Sequence, residues 1–298
     1  MRVPVLLLAS AAAWGQMAGV RSGVLFDRPT GSVRLVEGVA GSAHLGAAVL
    51  EGVEQAWVSP SAKAAVVRGS GGWALVRGFA GDDAEERGLE MEVERVRWSS
   101  GGRYVAMAGR ERIEVWDVEV LERVAGVDAG EGRDVVSLAV SDGGELAMAW
   151  FDGEQTVVES WRQGQWEETG RVAGRGVLAV AGDAVVLAGE GEVVLIRAGQ
   201  EAWRKRLERR DAPAGIEIVG REVVAAYGGE RATLMVWALE GGAEKEVELD
   251  AAPEGLERLG GGDGLVLCSR DREDEEIWVA VRRGAEWRAY FVPAGGGR

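Results

Sequence analysis

The sequence predicts an all-β protein of six or seven four-stranded antiparallel sheets set around a common axis. Three observations predict it. Apolar runs of about five residues alternate with turns rich in Gly and charged residues, the mark of short antiparallel strands. The whole pattern recurs at an interval of about forty residues, the length of one four-stranded unit. Apolar residues at helical spacing are scarce outside the first fifteen positions, so helices do not compete for the assignment.

The chain opens with MRVPVLLLASAAAWGQ. Arg2 is a short basic head, and Val3 to Ala13 form an apolar stretch too short to span a bilayer comfortably. Ala13 and Gly15 are small residues suitably placed for a signal-peptidase site, so residues 1–15 read as a signal peptide. No Cys follows the stretch to take a lipid anchor. Residues 16–293 then form one domain, and 294–298 (AGGGR) a flexible tail. Export places the protein in the periplasm or outside the cell, with no membrane insertion after cleavage.

Within the domain, GVLFDRPTGSVRLVEG (residues 23–38) reads as a hairpin that matches the third and fourth strands of a repeat. The regular repeats follow. Their first strands begin near Trp57, Val96, Val136, Val177, Ile216 and Leu256, at intervals of 39, 40, 41, 39 and 40 residues. The turns after them are SPSAK, SSGGR, SDGGE, AGD, VGR and GGGDG. Second strands are rich in small residues, among them Ala106, Ala108, Ala147, Ala149, Ala188, Ala225 and Ala226. Trp116, Trp161, Trp237 and Trp278 sit in third strands, where a large ring fills the wider space between sheets. Burying one such ring contributes about 2–3 kcal/mol by area. The last strand lies in EWRAYFVP.

A four-stranded unit of this size cannot cover both its faces alone, and radial stacking covers them while leaving only short edges. The architecture expected is therefore a β-propeller. Removing 15 of 298 residues leaves 283, which favours seven blades of about forty residues over six. The N-terminal strands are expected to close the ring against the last blade.

The segment SSGGRYVAMA with IEVWDVEVLERV, residues 99–124 less the linking loop, resembles WD40-like and YVTN-type propeller repeats. The match is good over 95–124 and 138–161 and looser elsewhere. Trp116-Asp117 is the one Trp-Asp pair at this place in the repeat, and the Gly-His pair of eukaryotic WD40 blades is absent. The resemblance implies a scaffold that binds proteins or ligands.

Composition narrows the functions allowed. Net charge is −15, against nucleic acid as a partner. Gly is abundant at 46 residues, Arg outnumbers Lys and Asn is absent, the signature of a GC-rich bacterial genome. A single cysteine, Cys268 in GLVLCS, excludes an internal disulfide and reads as an inert core residue. The only histidine, His44, reads as a surface residue, so histidine-based nucleophilic catalysis and His-based zinc sites are excluded. No G-x-S-x-G elbow or P-loop occurs. The run Arg270 to Glu276 is oxygen-rich but lacks the spacing of a calcium loop and reads as a solvated hairpin tip. No catalytic, cofactor or metal residues are assigned.

One recurrence points to a binding face. The loop between second and third strands is charged in five repeats, through Arg110 and Glu111, Asp152 and Glu154, Glu190, Glu230 and Arg231, and Asp271 and Arg272. Alternating strand direction brings these loops to one end of every sheet. The expected function is an exported, monomeric, non-catalytic scaffold for a protein, peptide or carbohydrate. The alternatives are a lactonase- or hydrolase-type propeller enzyme using channel carboxylates, and a structural component of a cell-envelope assembly.

Overall fold

The computed structural model describes residues 21–81, 83–209, 211–242, 244–262, 264–268 and 277–293. Among these there are 27 strands and no helix. The first sheet contains β1 (Arg21–Asp27), β2 (Ser32–Glu37) and β3 (His44–Glu51). The second contains β4 (Val53–Val58), β5 (Ala64–Gly69), β6 (Gly72–Arg77) and β7 (Glu85–Gly88). The third contains β8 (Arg95–Trp98), β9 (Tyr104–Ala108), β10 (Arg112–Asp117) and β11 (Glu122–Asp128). The fourth contains β12 (Asp134–Val140), β13 (Leu146–Phe151), β14 (Gln155–Arg162) and β15 (Gln165–Ala173). The fifth contains β16 (Val177–Ala181), β17 (Ala184–Gly189), β18 (Glu192–Arg197) and β19 (Gln200–Arg206). The sixth contains β20 (Pro213–Val219), β21 (Glu222–Tyr227), β22 (Thr233–Ala238) and β23 (Lys245–Glu248). The seventh contains β24 (Gly255–Arg258), β25 (Gly264–Cys268), β26 (Ile277–Arg283) and β27 (Glu286–Val292). Each sheet is ordered as its strands follow in sequence, and the pairings described are antiparallel.

Every predicted first strand coincides with an observed one, although β4 begins at Val53 and has nearly ended at Trp57. The alanines of the second strands are all buried, and Trp237 is fully enclosed. Three of the predicted turns share a device. Ser59, Ser99 and Ser141 are buried, and the hydroxyl of each accepts from the backbone N–H of Ala64, Tyr104 and Glu145 respectively, at 3.1 Å. The hydroxyl replaces water for an amide that the turn hides, which is why serine recurs there.

The residues fall into two compact units. In one, residues 94–257 with 267 and 268, four consecutive sheets pack face to face. Ala106, Ile113, Leu138 and Met148 fill the space between the third and fourth sheets. Ala149, Val158, Leu178 and Leu187 do so between the fourth and fifth. Ala188, Leu195, Tyr227 and Trp237 do so between the fifth and sixth. In the other unit, which holds residues 21–93, 258–266 and 277–293, the first sheet packs on the second through Val33, Leu50, Val67 and Val76. It packs on the seventh through Leu25, Val36, Leu45, Leu259, Val279 and Val292.

The N-terminal strands thus meet both neighbours, the last sheet among them as expected, and they do so without joining it. They form a sheet of their own, while the seventh sheet has four strands without them. One isolated antiparallel bridge, Val24 to Gly260, and a bond from the Leu45 amide to the Pro293 carbonyl at 3.2 Å join the two sheets by backbone. The β1–β2 hairpin also corresponds to second and third strands, not third and fourth. Its Gly31 carbonyl accepts from the Val53 amide at the start of β4, as the Glu111 carbonyl in the β9–β10 hairpin accepts from the Ala129 amide after β11. Among the described residues the first sheet has no strand before β1. The glycine turn after β24 lies beside β1 instead. Cβ atoms added at Gly260 and Gly262 would meet Val24 O at 3.1 Å and Ser22 O at 2.2 Å, so only glycine lets this turn approach so closely.

Candidate functional site

Four of the five predicted loops lie in the four-sheet unit, as the hairpins β9–β10, β13–β14, β17–β18 and β21–β22. A repeated bond fixes them at one end of their sheets. The carbonyls of Glu111, Glu154, Gly191 and Ala232 accept from the amides of Ala129, Gly174, Leu207 and Leu249, each just beyond a fourth strand. The hairpin tips therefore share an end with the connections between sheets, as alternation of strand direction requires.

Arg110, Glu111, Asp152, Glu154, Glu190, Glu230 and Arg231 are all exposed. Their side chains differ in what they do. Arg110 projects into solvent, at 89% side-chain exposure, and reaches Glu94 at 3.3 Å. Asp152 is spent on its own turn: its carboxylate accepts from the amides of Glu154 at 2.9 Å and Gln155 at 2.7 Å. Those two amides, Gln155 first, hold its pKa below the ordinary carboxylate value. Glu190 folds over the α-carbon of Gly174, where an added Cβ would meet its carboxyl carbon at 2.2 Å. Arg231 uses its carbonyl to accept from Arg209 at 3.2 Å. Asp271 and Arg272, with the rest of the Arg270–Glu276 run, lie outside the described residues, as does the side chain of Cys268.

Beneath the β21–β22 hairpin lies a charged cluster that sequence reading missed. Arg209 grips Asp211 with two bonds of 2.7 and 2.6 Å, donates to Thr233, and stacks over the Tyr227 ring at 4.1 Å. The arginine bonds hold the Asp211 carboxyl below its usual pKa, against its partial burial. Burial pushes the Tyr227 phenol above its ordinary value, and its hydroxyl has no hydrogen-bond partner. Deeper in the third sheet, Glu114 is 3% exposed and accepts from Trp116 Nε1 at 2.9 Å and Arg123 at 3.0 Å. These carboxylates are bonded to groups of their own sheet or its flanking segments. Among the described residues no three His, Cys, Asp or Glu side chains gather as metal ligands would.

One concave feature lies in the first unit. A space of about 300 Å³ remains between the first and seventh sheets, floored by Val36, Leu259, Val279, Val281 and Val292. His44 stands nearby on the surface, with Nε2 at 3.8 Å from Glu37, as expected of a surface residue. No periodic signal marks this space, because it is built from a loop, a glycine turn and strands of two sheets far apart in sequence.

Sheets that repeat every forty residues, run antiparallel in chain order and pack face to face define a WD40-like β-propeller, here with seven blades. Solved structures of low sequence identity share this fold. A chain in the crystal structure of a mitotic checkpoint complex is 14% identical with a TM-score of 0.56, the match covering 83% of each chain. Hsv2p of Kluyveromyces lactis is 10% identical with a TM-score of 0.56, over 91% of this chain and 97% of that one. No protein family and no curated protein matches the sequence.

Proposed function

We propose that this chain is an exported, non-catalytic propeller that binds a protein partner through the hairpin end of its four-sheet unit. The observation that carries this reading is the row of four hairpins, each pinned by a backbone bond to the segment beyond a fourth strand and each ending in exposed side chains. Rigid backbone with outward side chains is the preorganised surface that partner binding favours. The side chains that keep outward reach are Arg110, Glu111, Glu154, Glu230 and Arg231; Asp152 and Glu190 serve their own turns. A fold relative found within a multi-protein complex agrees with such a role. Export rests on the reading of residues 1–15.

The test is affinity capture from the envelope fraction with the full chain, comparing wild type with a triple R110A/E154A/R231A variant. Loss of the captured protein from a variant that melts at the wild-type temperature supports the reading. Equal capture by both removes the hairpin end from consideration.

A further inference from the structure

We propose that the outer edge of β27 is a docking site for an extended segment of another protein, which adds as a further strand to the seventh sheet and carries a large apolar residue beside an acidic one. The site lies in the first unit, apart from the hairpin end. The last strand of each sheet lies at its edge, and an edge offers unpaired backbone to an incoming strand. Most of these edges are guarded. β3, β11, β15 and β19 each shift register against their neighbour, which bends an edge away from a partner. β7 and β23 are four residues long and largely charged. Among the described edges β27 alone is long, at seven residues, and pairs without a break from Arg283–Glu286 to Ile277–Val292.

The groups this edge offers follow from the turn before it. Gly284 and Ala285 form a two-residue turn, so the flanking Arg283 and Glu286 exchange both their backbone bonds. Bonded pairs then alternate along the ladder, and the N–H and C=O of Ala289 and Phe291 point away from β26. No described group meets them. The next outward carbonyl, that of Pro293, accepts from the Leu45 amide at 3.2 Å, so the row ends at the first sheet. Beside the row lies an open space of about 500 Å³, bounded by Trp278, Ala289, Tyr290, Phe291 and the loop from Gly41 to His44. Phe291 is 42% exposed, the one aromatic ring left so bare among the described residues. Trp278 stands opposite it in register, on the same face as Ala289, with the two rings 5.9 Å apart. A large apolar residue opposite Ala289 would lie against these rings, and its burial would drive association while the backbone row sets the alignment. Charge adds the second requirement. The hairpin carries Arg282, Arg283 and Arg288 against Glu286, in a chain of net charge −15. Arg288 and Glu286 pair at 2.9 Å between side chains 60% and 70% exposed, and a pair in water contributes little. A carboxylate opposite Arg288 therefore meets a cation that is easily turned to it, and it falls next to the apolar residue.

The probe is a blocked hexapeptide, Thr-Val-Phe-Glu-Val-Thr, titrated into the full chain by calorimetry. Antiparallel addition places its Phe opposite Ala289 and its Glu opposite Arg288. The peptide is expected to bind wild type, and the same peptide N-methylated at Phe, whose amide would face β27, to bind tenfold or more weakly. Ala289→Pro removes an N–H that β26 does not use, which an edge strand tolerates, and is expected to abolish binding. Arg288→Glu is expected to weaken binding tenfold or more, and a peptide with Lys in place of Glu to regain it. The triple variant R110A/E154A/R231A is expected to bind the peptide as wild type does, which separates this edge from the hairpin face. Equal binding of the N-methylated peptide would overturn the proposal, as would undiminished binding by A289P or no binding at millimolar concentration. A tenfold gain in G295P/G297P, which bars residues 294–298 from pairing as a strand, would overturn it in favour of the chain's own end. Sedimentation of wild type as a dimer that A289P dissolves would overturn it in favour of a second copy.

Discussion

At the scale of single residues, the buried polar side-chain atoms among the described residues divide into those that are bonded and five that are not. Ser99 belongs to the first kind. Its buried hydroxyl serves the Tyr104 amide, so S99A should cost about 1 kcal/mol in denaturant unfolding. Tyr227 belongs to the second kind, because its buried hydroxyl bonds to nothing. Y227F should be neutral or stabilising, and a loss above about 1 kcal/mol would mean that the hydroxyl has a partner after all. Asp211 links structure to pH. Its folded pKa is depressed by Arg209, so its stabilising effect is complete above the unfolded carboxylate pKa of about 3.9 and fades as pH falls through the folded value. Asp117 follows the same rule. Burial pushes its carboxyl up, but Arg103 and the Glu119 amide outweigh that and leave it lowered. The stability gap between wild type and D211N should therefore close on acidification, and a gap that widens below pH 4 would contradict the sign.

At the scale of elements, the repeat was legible because each strand announces itself twice, by its own apolar run and by its counterpart forty residues on. The small second strands and the serine turns were visible for the same reason. What could not be read was set by long-range packing. The Pro29-Thr30-Gly31 turn resembles the tip between third and fourth strands, yet Val53 binds the Gly31 carbonyl and makes it a second-to-third hairpin. The charged hairpin residues were found, but their uses were not. Whether a glutamate projects, as Glu154 does, or folds over Gly174, as Glu190 does, depends on a neighbouring sheet. The space between the first and seventh sheets was illegible because its walls come from residues 21–43 and 259–292 and follow no period. The glycine turn there is sensitive to change. A Cβ on Gly260 would meet Val58 Cγ1 at 2.7 Å and Ser59 O at 3.0 Å, so G260A should destabilise by about 1–3 kcal/mol. A melting temperature within a degree of wild type would show that the turn can move aside.

At the scale of the whole molecule, charge and chain order set the behaviour. Most of the surface ion pairs, such as Arg221–Glu240, join well-exposed side chains and contribute little, whereas a net charge of −15 repels itself everywhere. Raising ionic strength from about 0.01 to 0.15 M should thus raise the melting temperature, since screening shortens the reach of that repulsion to about 8 Å. A fall on adding salt would mean that the surface pairs dominate. The placing of the first sheet against the seventh has a temporal consequence. Leu25, Val36 and Leu45 are covered by Val279 and Val292, so one greasy flank of the earliest strands waits for the last ones to be made. With synthesis at about 5–20 residues per second, the wait from residue 51 to residue 292 is roughly 12–50 seconds. A nascent chain in that interval needs shelter, and a holding chaperone that recognises the stretch from Leu25 to Leu50 would be its natural guardian during biogenesis.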